Sequence, residues 1–147
     1  MMSHVLRTSF VSLGVGFLAE LVSGWLSSHF LGNFFDGNLI TILVALLAIN
    51  AATMGIVLAK IRDLIDRSGG SEFFRMTRGQ MLLSVKEQIG LIAFATSLLA
   101  IKSGSAMANV PNMPFVVNSV ITGIFVYALI ILYDTAKSVL IIVDYDG

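Results

Sequence analysis

The residue best placed to do chemistry in this chain is Glu20, a carboxylate midway through FLAELVSGWLSS, residues 17–28. At about 100° of helical turn per residue, Ser12, Gly16, Ala19, Glu20, Ser23 and Ser27 share one arc, and Val11, Val15, Leu18, Leu21, Val22, Trp25 and Leu26 take the opposite side. An ionised carboxylate in the centre of a bilayer costs about 3 kcal/mol on insertion scales, so Glu20 is expected to face protein or water. Small neighbours let a second backbone approach, and serine hydroxyls can donate to a carboxylate. Two chemistries fit. A neutral Glu20 would hydrogen-bond across a helix interface and hold a bundle or oligomer together. A Glu20 lining a cavity would exchange protons or attract cations.

Two amides stand in comparable surroundings, Asn50 and Asn118. Around Asn50, the residues Thr41, Ala45, Ala48, Ala52, Gly55 and Ala59 form a narrow stripe of small side chains, and Asn50 points to the other side. A carboxamide facing lipid would leave its donors unsatisfied, so this segment is expected to meet protein on two sides. Gly90, Ala93, Ser97 and Ala100 repeat the small-residue pattern, as do Asn118, Ser119, Thr122 and Gly123. Gly16, Ser23, Ala48, Ala52, Gly55, Gly90, Ser97 and Gly123 are accordingly expected to pack helix on helix. The functional alternative is a polar path lined by Glu20, Asn50 and Asn118.

Other chemistries find no residues. The chain has no cysteine, and its two histidines, His4 and His29, match no zinc spacing. Gly14, Gly16 and Ala19 spell G-x-G-x-x-A, but inside an apolar helix with no preceding strand the dinucleotide reading fails. Walker A, HExxH and G-x-S-x-G motifs are absent, and neither histidine lies in a span to activate a serine. Asp63, Asp66 and Glu72 suggest a metal cluster less than a solvated helix face, because Arg62–Asp66 and Asp63–Arg67 pair at i,i+4. No enzyme activity, cofactor or bound metal is expected. Nine basic and nine acidic residues cancel, so net charge offers nothing for nucleic acid to recognise.

The stretch LAEL within GFLAELVSGWLSS resembles the first helix of the small multidrug resistance transporters, which have four short helices and a membrane-embedded glutamate in a similar LAE context. The resemblance implies that Glu20 binds protons and cationic drugs in alternation. It covers about a dozen residues, and the remainder departs from that family. The later spans lack its tryptophan and tyrosine pattern, Trp25 is the only tryptophan and lies on the apolar side, and the basic connection is longer.

The elements that must position these residues are membrane helices. Hydrophobic residues make up 56% of the 147-residue chain, charged residues 12%, and the mean hydropathy is +0.91. A soluble domain carries about 25% charged residues. Spanning roughly 30 Å of hydrocarbon takes about 20 helical residues, and four segments suffice, at 8–28, 39–59, 85–101 and 115–133. The runs are continuous and lack strand alternation, which favours helices over a barrel. Phe17 stands where signal cleavage wants a small residue, so the first segment is expected to remain as a span.

Lys60, Arg62, Arg67, Arg75 and Arg78 all fall between the second and third spans, with Lys86 at the border, whereas the first and third connections hold only Lys102. The positive-inside rule then puts both termini and residues 60–84 in the cytoplasm. AKIRDLIDR continues the second helix outward, Gly69 and Gly70 interrupt it, and Ser71 can cap the next. The expected fold is a single all-α transmembrane domain, an antiparallel four-helix bundle with helices that extend into the cytoplasm. The function expected is a non-enzymatic, homo-oligomeric membrane subunit that couples the bilayer to a cytoplasmic protein. Lys60, Arg62, Arg67, Arg75 and Arg78 would meet that partner or anionic headgroups. The layout resembles small membrane subunits that accompany soluble effectors in bacterial stress or phage-defence systems, and an oligomer of this kind could also conduct ions, with Glu20 near the pathway. The alternative is a small proton-coupled exporter that works through Glu20.

Overall fold

Long apolar runs can satisfy their backbone groups inside hydrocarbon only as helices or closed barrels. The computed structural model describes the backbone of residues 2–68, 71–104 and 112–144, and the side chains of 5–63, 79–104, 112–137 and 139–140. Among these residues every regular element is helical: α1 (Met2–Trp25), α2 (Phe30–Ser68), α3 (Ser71–Ser103) and α4 (Met113–Asp144). Each contains a stretch long and apolar enough to cross a membrane, at Val5–Trp25, Phe30–Asp63, Gly79–Ser103 and Met113–Lys137.

The helix ends differ from those expected, for local reasons. α1 stops at Trp25 because Ser27 takes a left-handed conformation, φ 52°. The Ser28 N–H then donates to the Ser23 carbonyl at 2.8 Å and the Ser27 N–H to the Gly24 carbonyl at 3.1 Å, the paired bonds of a Schellman cap. Ser28 Oγ in turn accepts the Phe30 N–H at 3.3 Å, so one residue closes α1 and opens α2. Residues 30–38, expected as connection, are the first turns of α2. Phe35 and Leu39 bury there, and Asn38 bonds back to the Phe34 carbonyl at 2.9 Å, which outweighs the weak helix propensity of Gly32 and Gly37. Pro114 sits in the first turn of α4, where its missing N–H costs no bond. Pro111, Gly69 and Gly70 lie outside the described residues.

α4 is the central helix. Half of its apolar stretch is buried, against 11% in α1 and in α3, and it packs on all three other helices. α1 packs almost wholly on α4. Along that interface Ser12 and Leu13 meet Gly123, Gly16 meets Ser119 and Gly123, Phe17 meets Phe115 and Glu20 meets Asn118. Two glycines set the spacing: a Cβ on Gly16 would lie 2.3 Å from the Ser119 carbonyl oxygen and 2.7 Å from the Gly123 nitrogen. The outward side of α1 is the one carrying Trp25, 88% exposed, together with Val11, Val15, Leu18, Leu21, Val22 and Leu26.

The interior built by α2, α3 and α4 is divided. One apolar cluster joins Phe35, Leu39, Leu43 and Leu46 of α2 to Ala95 of α3 and Val117, Ile121, Ile124 and Ala128 of α4. A second joins Met54, Val57 and Ile61 of α2 to Met81 of α3. Asn50 falls between the clusters on α2 and Gln88 between them on α3, and both are almost completely buried. Among the described residues neither carboxamide has a hydrogen-bond partner for its oxygen or its nitrogen. Buried Thr135 is the matching polar residue of α4, its hydroxyl donating to the Ile131 carbonyl at 3.0 Å.

Because the large side chains of α2 fill this interior, its small ones face outward. Thr41, Ala45, Ala48, Ala52, Gly55 and Ala59 are exposed, and so are Gly90, Ala93, Ser97 and Ala100 of α3. Nothing lies within 4 Å of a Cβ built on Gly55 or Gly90. Of the residues expected to pack helix on helix, Gly16, Ser23 and Gly123 are buried within the chain. Ala48, Ala52, Gly55, Gly90 and Ser97 are left uncovered by it.

Candidate functional site

Glu20 lies five residues before the end of α1, about 8 Å along the axis at 1.5 Å per residue, and so nearer one end than the centre of its span. Its small-residue face turns it toward α4, where Asn118 Nδ2 donates to Glu20 Oε1 at 3.1 Å. Of the serines on its own arc, Ser12 donates instead to the Thr8 carbonyl at 2.7 Å, and across the interface Ser119 donates to the Phe115 carbonyl at 2.8 Å. Asn118 is packed from the side by Gly32, where a Cβ would come within 3.2 Å of Nδ2. Its Oδ1 is buried and has no partner among the described residues.

Around this pair a polar cavity of about 250 Å³ is lined by Glu20, Ser28, His29, Gly32, Asn33, Asp36, Lys102 and Asn118. All four helices and the α1–α2 turn contribute, with one residue each from α1, α3 and α4. Lys102 Nζ lies 2.5 Å from Asp36 Oδ1, a charge-assisted bond between α2 and α3. Lys102 is the one basic residue that breaks the charge asymmetry of the connections, and Asp36 neutralises it.

The cavity does not continue inward. Phe35 and Val117, immediate chain neighbours of Asp36 and Asn118, begin the first apolar cluster. Asn50 is 18 residues along α2 from Gly32, about 27 Å at 1.5 Å per residue, with that cluster between. The structure thus brings Glu20 and Asn118 together and leaves Asn50 in a separate layer with Gln88.

A second carboxylate, Glu87, is expected with Lys86 at the entrance of the third span and is given no role there. Glu87 of α3 accepts a bond from the Tyr127 hydroxyl at 3.5 Å, at one end of a cavity of about 300 Å³ between α1, α3 and α4. The walls are otherwise mostly apolar, with Leu13, Leu91, Phe94, Val120 and Ile124. Glu87 and Gln88 lie well inside the apolar stretch that starts at Gly79. The signal that singled out Glu20, a lone polar residue within an apolar run, was absent at both, because Lys86, Glu87 and Gln88 are consecutive and read as the entrance of the third span. His29, Asp36 and Lys102 offered no such signal, because 66 positions separate the ion pair and no periodicity links them.

Of the basic residues expected at a partner surface, Arg62 is exposed and Lys60 half-buried with an interaction of its own. The side chains of Arg67, Arg75 and Arg78 lie outside the described residues. Among the described residues no group of three His, Cys, Asp or Glu is arranged to hold a metal ion. Comparison with protein families, with characterised proteins and with solved structures returned no match.

Proposed function

We propose that this chain is a non-enzymatic membrane subunit that assembles with copies of itself and couples the bilayer to a cytoplasmic protein. In this reading the four helices cross the membrane as an antiparallel bundle, with both termini and residues 60–84 on the cytoplasmic side. In a bacterium the membrane would be the inner one. The observation that carries the reading is length. α2 has 39 residues and α3 has 33, about 58 and 50 Å of helix against roughly 30 Å of hydrocarbon. The surplus falls at the end of α2 and the start of α3, where Lys60, Arg62, Arg67, Arg75 and Arg78 cluster. A helical projection with that charge suits a soluble partner or anionic headgroups. The uncovered small residues of α2 support self-assembly, since lipid-facing helices gain nothing from such a stripe while a second helix can approach it closely. Any ion pathway would run between copies, because the apolar cluster fills the interior of each.

The test is charge reversal of Arg62, Arg67, Arg75 and Arg78, followed by cross-linking in cells through a photoreactive residue at position 63. A soluble protein cross-linked to the wild type and lost from the variant supports the reading; the same protein recovered at equal yield from both contradicts it.

The pairing of Glu20 with Asn118 in a polar cavity favours a second reading, a small proton-coupled exporter. Glu20→Gln would then abolish proton-driven transport in reconstituted vesicles. A subunit of the first kind would keep its assembly and its partner after the same change.

A further inference from the structure

We propose that Asn50 and Gln88 together decide which faces of α2 and α3 turn into the interior of the chain, a preference that the surrounding lipid does not supply. This goes beyond both functional readings and rests on neither.

The pairing of α2 with α3 places the two amides in one layer. Asp36 of α2 bonds Lys102 of α3, Leu43 shares the first apolar cluster with Ala95, and Val57 shares the second with Met81. Positions 36, 43, 50 and 57 follow one another at seven-residue steps on α2, as do 102, 95, 88 and 81 on α3. A seven-residue repeat keeps one seam between two packed helices, and Asn50 opposite Gln88 completes the series. Their layer lies 14 residues, about 21 Å, inward from the ion pair and within both apolar stretches. Each is buried almost completely, and neither carboxamide is bonded to another described residue. Within the layer, each is the group that can serve the other.

Each helix has two faces that suit an interior. Opposite Asn50, α2 carries Ala45, Ala48 and Ala52, and opposite Gln88, α3 carries Gly90, Ala93 and Ser97, all of them exposed. In water the large side chains beside the amides would select the interior unaided. Hydrocarbon gives them no such push, because lipid tails are as apolar as leucine, and small residues are the ones that let membrane helices approach closely. The amides break this balance. Turned outward, Asn50 and Gln88 would leave four hydrogen-bonding atoms in hydrocarbon. Turned inward, they meet each other. Two side chains thus orient two helices, and the small-residue faces are left outward, where a second copy can reach them.

The experiment places pairs of cysteines in the full chain, which has none of its own, and oxidises isolated membranes with copper phenanthroline. Leu46→Cys with Ile92→Cys reports the interior, since Leu46 belongs to the first apolar cluster and Ile92 packs against it. Ala45→Cys with Ala93→Cys reports the outward faces at the same level. Links are mapped by peptide mass in the monomer band of a non-reducing gel, so the result does not depend on whether copies assemble. With both amides in place, the interior pair should link and the outward pair should not. Replacing both amides by leucine should lower the ratio of interior to outward links at least about tenfold. The exchange of Asn50→Gln with Gln88→Asn keeps an amide on each helix and should retain the original ratio. An unchanged ratio in the leucine variant, loss of both links together, or an equal fall in the exchanged pair would overturn the proposal.

Discussion

Asn50 and Gln88 are the residues whose placing is hardest to reconcile with a passive anchor. Each is buried to within 2% of its surface, and their four polar atoms lack partners among the described residues. A buried polar group without a partner costs about 1–3 kcal/mol, which an apolar side chain of similar shape relieves, whereas removing one member of a bonded pair strands the other. The double change Asn50→Leu and Gln88→Met should therefore raise the resistance of the detergent-solubilised protein to unfolding by about 1–3 kcal/mol. A loss of stability in the same denaturant titration would show that both amides hold partners in the native membrane. The sequence exposed Asn50 plainly, an amide in an apolar run. Its partner layer was not legible, since Gln88 follows Lys86 and Glu87 and Thr135 stands between Asp134 and Lys137, and only a structure shows that the three lie between the same two clusters.

At the scale of elements, α1 stands apart. Neither apolar cluster contains an α1 residue, and the helix is held through the approach of Gly16 to Ser119 and Gly123. Leucine at position 16 cannot be accommodated by moving a flexible side chain, because the atoms it would strike are backbone. Overpacking of this kind costs about 1–3 kcal/mol. Gly16→Leu should accordingly raise amide exchange along α1 while α2 and α3 keep wild-type protection. Gly24→Leu, with nothing within 4 Å, should change neither. Uniform loss of protection in Gly16→Leu would contradict the separation of α1 from the rest. The face of α1 that meets α4 could be read from small residues at helical spacing, because Ser12, Gly16 and Ser23 have one side to themselves. In α2 the same logic reached its limit. Two faces suited protein, Asn50 on one and Ala48, Ala52 and Gly55 on the other, and periodicity cannot tell which the chain covers itself. The large residues decide it, since Leu39, Leu43, Leu46, Met54, Val57 and Ile61 share the side of Asn50 and fill the interior.

For the whole molecule, that choice leaves the small-residue side of α2 free for another copy. Leucine at both Ala52 and Gly55 adds bulk where the chain has no neighbour of its own, so the fold of a protomer should be unchanged. The mass of the detergent-extracted complex should fall from a multiple of 15.8 kDa to a single chain. An unchanged mass would remove this face from the assembly. Cavity and core also divide the molecule along its length. The end near His29 holds the ion pair of Asp36 and Lys102 and the carboxylate of Glu20, and the far end of α2 holds exposed Arg62. Both readings of function require these ends to face opposite compartments.

That requirement is open to direct measurement, because the chain has no cysteine of its own. His29→Cys and Arg62→Cys are made singly and treated in intact cells with a maleimide that cannot cross membranes. Position 29 should be labelled in intact cells, and position 62 only once the membrane is permeabilised. Labelling of position 62 from outside, or of both positions from the same side, would contradict a chain that crosses the bilayer four times with its arginines in the cytosol.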